Sequence, residues 1–115
     1  MPKDDSVYLG HMLDAAQKIA IRIQGKSRTD YDNSEDLQIV VAYLIQTIGE
    51  AASRVSTELR DKHAEIPWKQ IVGMRNRIVH DYMNIDADVV WEVGTRNIPT
   101  LIAQLNSLNT PGDET

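Results

Sequence analysis

The sequence predicts an all-α fold, an antiparallel up-and-down bundle of four helices, and three observations lead there. Apolar residues recur at helical spacing in four separate stretches. No stretch of useful length alternates apolar and polar residues as a half-buried strand does. The connections between the stretches are short, which places successive helices side by side in opposite directions. A chain of 115 residues is long enough for one hydrophobic core and too short for two.

The first helix is expected to start at Ser6 as N-cap and to end near Gly25. Its stripe is Tyr8, Met12, Ala15, Ala16, Ile19 and Ile23, with His11 at the border as a structural or surface histidine. A polar linker, residues 26–33, follows as turn chemistry, and its cations with Arg22 make a candidate basic patch. Asn33 or Ser34 caps a long second helix, whose Glu35 and Asp36 suit the positive end of the dipole. Its main stripe runs Leu37, Val41, Leu44, Ile48, Ala51, Ala52, Val55 and Leu59. Ile39, Tyr43, Gln46 and Glu50 lie on the opposite face, which is too apolar to be simply solvated and suits a central or interface position. Gly49 weakens the helix relative to alanine by about 1 kcal/mol and permits a close helix approach. A connector carrying His63 leads to Pro67, a helix opener, and a third helix over Trp68 to Tyr82. Asp86 caps the fourth, which runs to Leu108 and is kinked at Pro99. Residues 1–109 thus form one domain, and 110–115 read as a disordered tail.

Composition narrows the function classes. The apolar share is 42% and the charged share 25%, ordinary values for a globular protein. No run approaches the ~18 apolar residues of a membrane span, and the first residues lack the apolar centre of a signal peptide. Without cysteine there is neither a disulfide framework nor a thiolate zinc site, and a cytoplasmic location is the default. A net charge of -5 argues against general coating of nucleic acid, so any RNA contact has to be local.

Chemistry concentrates in residues 73–82. On one continuous helix, Arg75 falls in the middle of the apolar stripe, while Gly73, Asn76, Arg77 and His80 share a second face. A cation where the pattern asks for an apolar residue marks a candidate site. Three readings compete. In the structural one, Arg75 pairs with a carboxylate such as Glu50, and His80 and Tyr82 finish the helix. In the second, His80, Asp81, Asp86 and Asp88 bind a metal, although Asp86 and Asp88 are better explained as helix-start carboxylates. In the third, His80 moves protons during attack on a phosphodiester, with Arg75 holding charge on the phosphorus. One such histidine per chain favours a two-fold dimer that brings two copies to one cleft.

The arrangement Arg75-x4-His80-Asp81-Tyr82 resembles the Arg-x4-His-x-Tyr motif of the HEPN superfamily, in particular its HepT-like toxin branch. Asn76 supplies the polar residue that follows the arginine. The similarity extends to Gly49-Glu50-Ala51-Ala52, Ile66-Pro67-Trp68, Asp86-x4-Trp91 and Ile98-Pro99-x-Leu101, and so covers most of the chain from Tyr8 to Leu108.

The resemblance implies a homodimeric, metal-independent endoribonuclease toxin without a cofactor, of a type VII-like toxin–antitoxin pair. Its RNA substrate would be transfer or messenger RNA. Arg75 would bind the phosphate, His80 transfer protons, Asn76 position and Glu50 support. The implied partner is a minimal nucleotidyltransferase antitoxin, MntA-like, which transfers AMP to Tyr82 and blocks the cleft. The expected RNA groove draws on Arg22, Lys26, Arg28, Lys69 and Arg77. The other reading is a non-catalytic dimeric helical partner that binds a nucleotidyltransferase or a nucleotide.

Overall fold

The computed structural model describes residues 3–81 and 84–108. Its helices are α1 (Lys3–Ile23), α2 (Arg28–Asp32), α3 (Glu35–Ser53) and α4 (Thr57–Lys62). They continue as α5 (Trp68–Val72), α6 (Met74–Ile78), α7 (Ala87–Glu92) and α8 (Ile98–Leu108). Two short strands, β1 (Val79–Asp81) and β2 (Asn84–Ile85), pair antiparallel between α6 and α7. A π-helical turn, Val93–Asn97, joins α7 to α8. The all-α class expected from the apolar spacing is the class observed, with a minimal two-stranded ladder added. The expected tail, 110–115, lies outside the described residues.

α1 buries Met12, Ala15, Ala16 and Ile19 of the predicted stripe, with Leu9 added, while Tyr8 and Ile23 at its ends are half-buried. It begins before Ser6, so Ser6 is not its N-cap. Asp5, 2% exposed, instead accepts hydrogen bonds from the backbone N–H (2.8 Å) and hydroxyl (2.6 Å) of Ser56. That contact ties the start of α1 to the start of α4.

The polar linker is partly helical. Ser27 caps α2, and Ser27 and Asp30 exchange reciprocal capping-box bonds. Ser27, through its backbone N–H first and then its side chain, holds the Asp30 carboxyl below its ordinary value. The reason for a helix here is Tyr31, which is fully buried, lies 4.9 Å from the Trp91 ring and donates to the Ala87 carbonyl at 2.8 Å. Burial pushes its pKa up to about 12.

Ser34 caps α3, accepting from the Leu37 N–H. α3 stops at Ser53, short of the predicted stripe, and Leu59 belongs to α4. Ser56 causes the break: its side chain caps α4 while its N–H and hydroxyl are taken by Asp5, an alternative to helix continuation. The Arg60 guanidinium returns to the Ala52 carbonyl at 2.7 Å, satisfying an acceptor at the end of α3. At Gly49, a Cβ would stand 3.1 Å from the Ile71 carbonyl oxygen, so glycine allows the close approach of α5.

The predicted third helix is two short ones. Pro67 occupies the N-cap of α5, and Gly73 separates α5 from α6. The chain leaves helix at Val79, where the Ile78 carbonyl accepts from the Asp86 N–H at 2.6 Å. Asp86 caps α7 as expected. Pro99, second residue of α8, lacks the N–H that would bond one turn back, and the wider π turn directly before it absorbs that loss. α1 packs on α3 and α8, and α3 in turn packs on α5, α6 and α7. Val41, Ile45 and Ile48 fill the centre.

Candidate active-site groove

The break at Gly73 re-phases the helix and decides where Arg75 goes. Met74 and Ile78 are buried, four residues apart on one face, while Arg75, Asn76 and Arg77 are exposed. Arg75 therefore does not lie in a buried apolar face, as one unbroken helix would require. It makes no ion pair with a described residue, and Glu50, its expected partner, pairs with Arg54 at 3.2 Å. The second predicted face also changes, because α6 ends before His80. The backbone of His80 belongs to β1. Its side chain, that of Asp81, and the whole of Tyr82 lie outside the described residues.

Arg75 and Glu50 line the same groove, a cavity of about 430 Å³ between α1 and α3. α1 contributes Tyr8 and His11, one turn apart, with rings 6.1 Å from centre to centre and nearly perpendicular. α3 contributes Tyr43 and Gln46, residues of the face too apolar to be simply solvated, and Thr47 beside them. Arg54, just past the end of α3, lies over the Tyr8 ring at 6.0 Å. Its hydrogen bond to Glu50 first, then one to Tyr8, holds its guanidinium above the ordinary arginine pKa. The Thr47 hydroxyl donates to the Tyr43 carbonyl at 3.0 Å. Chemically the groove offers fixed cations, a carboxylate, an amide and three aromatic rings in a space a small ligand can occupy.

The other predicted cations are spread out. Arg22 and Lys26 border a second cavity, beside Asp30 and Asn33. Arg77, two residues from Arg75 and so about 200° round the helix, faces a third with Glu65, Asn97 and Gln104. Lys69 is exposed on α5. The Arg28 guanidinium is engaged by Asp32 at 2.8 Å and by Asp88. These two carboxylates, Asp88 before Asp32, raise its pKa further above the ordinary value. Of the carboxylates considered for a metal, Asp86 caps α7 and Asp88 pairs with Arg28. No group of three metal-ligating side chains occurs among the described residues.

Tyr8, His11 and Arg54 are groove residues that motif reading missed. A signal existed in the spacing of Tyr8 and His11 and in the half-apolar face of α3, but the two faces meet only once the helices pack.

Comparison with known proteins bears on the same region. Residues 12–108 match the family described as Ribonuclease HepT-like. A candidate RNase of Caldanaerobacter subterraneus subsp. tengcongensis is 32% identical over 101 residues, covering 88% of this chain and 90% of that protein. A protein of Methanocaldococcus jannaschii, named as a gamma-glutamylcyclotransferase and candidate RNase, is 36% identical over 101 residues. That match covers 88% of this chain and 46% of the relative. The probable ribonuclease HepT of Thermococcus cleftensis is 26% identical over 108 residues, 94% of this chain and 98% of that one. No solved structure matches. With the Arg75 motif, the all-α frame and a match spanning most of the sequence, the chain belongs to the HepT-like ribonuclease family.

Proposed function

We propose that this protein is a metal-independent endoribonuclease toxin that works as a homodimer, with the Arg75–Tyr82 segments of both copies at one cleft. The observation that carries the reading is Arg75: exposed, unpaired among the described residues, at the edge of a groove and five residues before His80. A guanidinium that no described carboxylate engages gives up no ion pair with a described residue when it turns to a phosphate, for which its planar fork is suited. The reaction follows from the groups. A base takes the proton of an RNA 2′-hydroxyl, and the 2′-oxygen attacks the adjacent phosphorus. The bond to the 5′-oxygen breaks, and an acid returns a proton to that leaving oxygen. His80 from each subunit supplies the two proton-transfer groups, and Arg75 stabilises charge on the phosphoryl oxygens. Asn76 positions, and Glu50 supports the groove by ordering Arg54.

The dimer reading draws on α3. Ile39 and Val40 are 48% and 36% exposed near its start, an apolar surface that a second copy can cover. Gln46 and Glu50 lie about two to three turns further on, roughly 10–15 Å along the axis, which leaves their half open as cleft wall.

Control by a minimal nucleotidyltransferase antitoxin belongs to the same proposal. AMP on Tyr82, two residues beyond His80, adds bulk and a negative phosphate that competes with RNA for Arg75. Intact mass after co-expression with such a partner should rise by whole AMP units on wild type and not on Tyr82→Phe. The direct test of the enzyme is incubation with total RNA, with and without EDTA, beside His80→Ala. Cleavage that survives EDTA and is absent from the variant supports the reading. No cleavage by the wild type would favour a non-catalytic partner protein.

A further inference from the structure

We infer that the groove between α1 and α3 is a base-binding subsite, taking one unpaired nucleobase of the RNA next to the phosphate held by Arg75. The inference rests on the ribonuclease reading and adds how substrate is held. Tyr43 is 67% exposed, a large ring left in water on a helix whose other face is core. Aromatic rings in that position are stacking platforms for unstacked bases, which have a π-face whatever their identity. His11 is exposed across the groove on α1 and supplies a second flat ring.

The polar groups are ready for a base edge. Gln46 makes no hydrogen bond with another described side chain, and its amide offers both a donor and an acceptor. Thr47 differs, since its hydroxyl is spent on the Tyr43 carbonyl, which fixes the wall rather than the ligand. Arg54 pairs with Glu50 at 3.2 Å and lies over the Tyr8 ring, so its charge stands at the groove. The cavity of about 430 Å³ falls within the ~300–1,000 Å³ range of small-ligand sites.

Charge gives an independent reason to need such a subsite. Affinity for RNA commonly comes from many phosphate contacts. Here the net charge is -5, and the other candidate RNA-binding cations are scattered: Arg22 and Lys26 border one separate cavity, Arg77 another, Arg28 is engaged by carboxylates and Lys69 stands on α5. A base-stacking contact beside one phosphate supplies binding that scattered cations do not.

The test uses a fluorescein-labelled 2′-O-methyl RNA hexamer, which cannot be cleaved because the attacking oxygen is blocked, and the matching ordinary RNA. Binding is read by fluorescence polarisation and cleavage by gel, on wild type and on the double variant His11→Ala, Gln46→Ala, with light scattering on both. We expect the variant to keep the oligomeric mass and melting temperature of the wild type. It should bind the hexamer at least about tenfold more weakly, and its loss in kcat/KM should lie in KM. A wild type that binds and cleaves while the variant binds within about twofold of it overturns the subsite and leaves the ribonuclease reading intact. Weaker binding accompanied by loss of oligomeric mass also overturns it, because the residues then serve the subunit interface. A wild type that neither binds nor cleaves overturns the ribonuclease reading, and the subsite with it.

Discussion

Arg75 and Tyr31 show how one side chain's surroundings set what a substitution reveals. Arg75 is exposed and has no ion pair among the described residues, so Arg75→Ala leaves none of them with an uncompensated charge. The expected outcome is a melting temperature within a few degrees of wild type together with loss of RNA cleavage. A large drop in melting temperature would show that the arginine is structural. Tyr31 is the reverse case, buried and bonded to Ala87, with its pKa raised to about 12 by desolvation first. Below the ordinary tyrosine value near 10, folded and unfolded chains both hold the proton and the contribution is complete. As pH rises from about 10 to about 12, the unfolded chain releases the proton while the folded one keeps it, so stability falls. Urea denaturation across that window should show the decline. Tyr31→Phe should flatten it and cost about 1 kcal/mol at neutral pH through the lost hydrogen bond.

At the scale of elements, close backbone contacts matter more than helix propensity. Gly49→Ala favours the helical state by about 1 kcal/mol, yet the new methyl would meet backbone oxygens of Ile71 and Val72, which have no flexible end to move aside. Net destabilisation of about 1–2 kcal/mol is expected, the range of overpacking, and chemical denaturation would detect it. A stabilised variant would mean that α5 can step back. The same tertiary contacts limit what the sequence reveals. The stripes of α1 and α3 are legible because periodicity reports burial of a face. The stops are not, because each depends on a distant residue or a single dihedral. Asp5 claims Ser56 from 51 positions away, Tyr31 makes a helix of an apparent turn by reaching Ala87, and Gly73 interrupts a spacing that continued on paper. The candidate site divides the same way. Arg75 could be singled out from its neighbours, whereas its exposure, and its grouping with Tyr8, His11 and Arg54, required the packing of α1 on α3.

For the whole molecule, helices that carry a core on one side and an apolar patch on the other are incomplete alone. Ile39 and Val40 supply that patch. In the proposed dimer, replacing both with glutamate would place like charges face to face across the two-fold interface, and the expected outcome is a monomer in light scattering together with loss of cleavage. Cleavage by a monomeric variant would show that one chain holds a complete site. Among the described residues no helix is long and apolar enough to cross a membrane.

If His80 and Arg75 cleave RNA by attack of the neighbouring 2′-oxygen, as proposed, the ends of the products carry the signature of that step. Mass spectrometry of a short RNA digested in EDTA should find 2′,3′-cyclic phosphates and 5′-hydroxyls from the wild type, and intact RNA from His80→Ala and Arg75→Ala. Fragments ending in 3′-hydroxyls, or unchanged cleavage by His80→Ala, would contradict it.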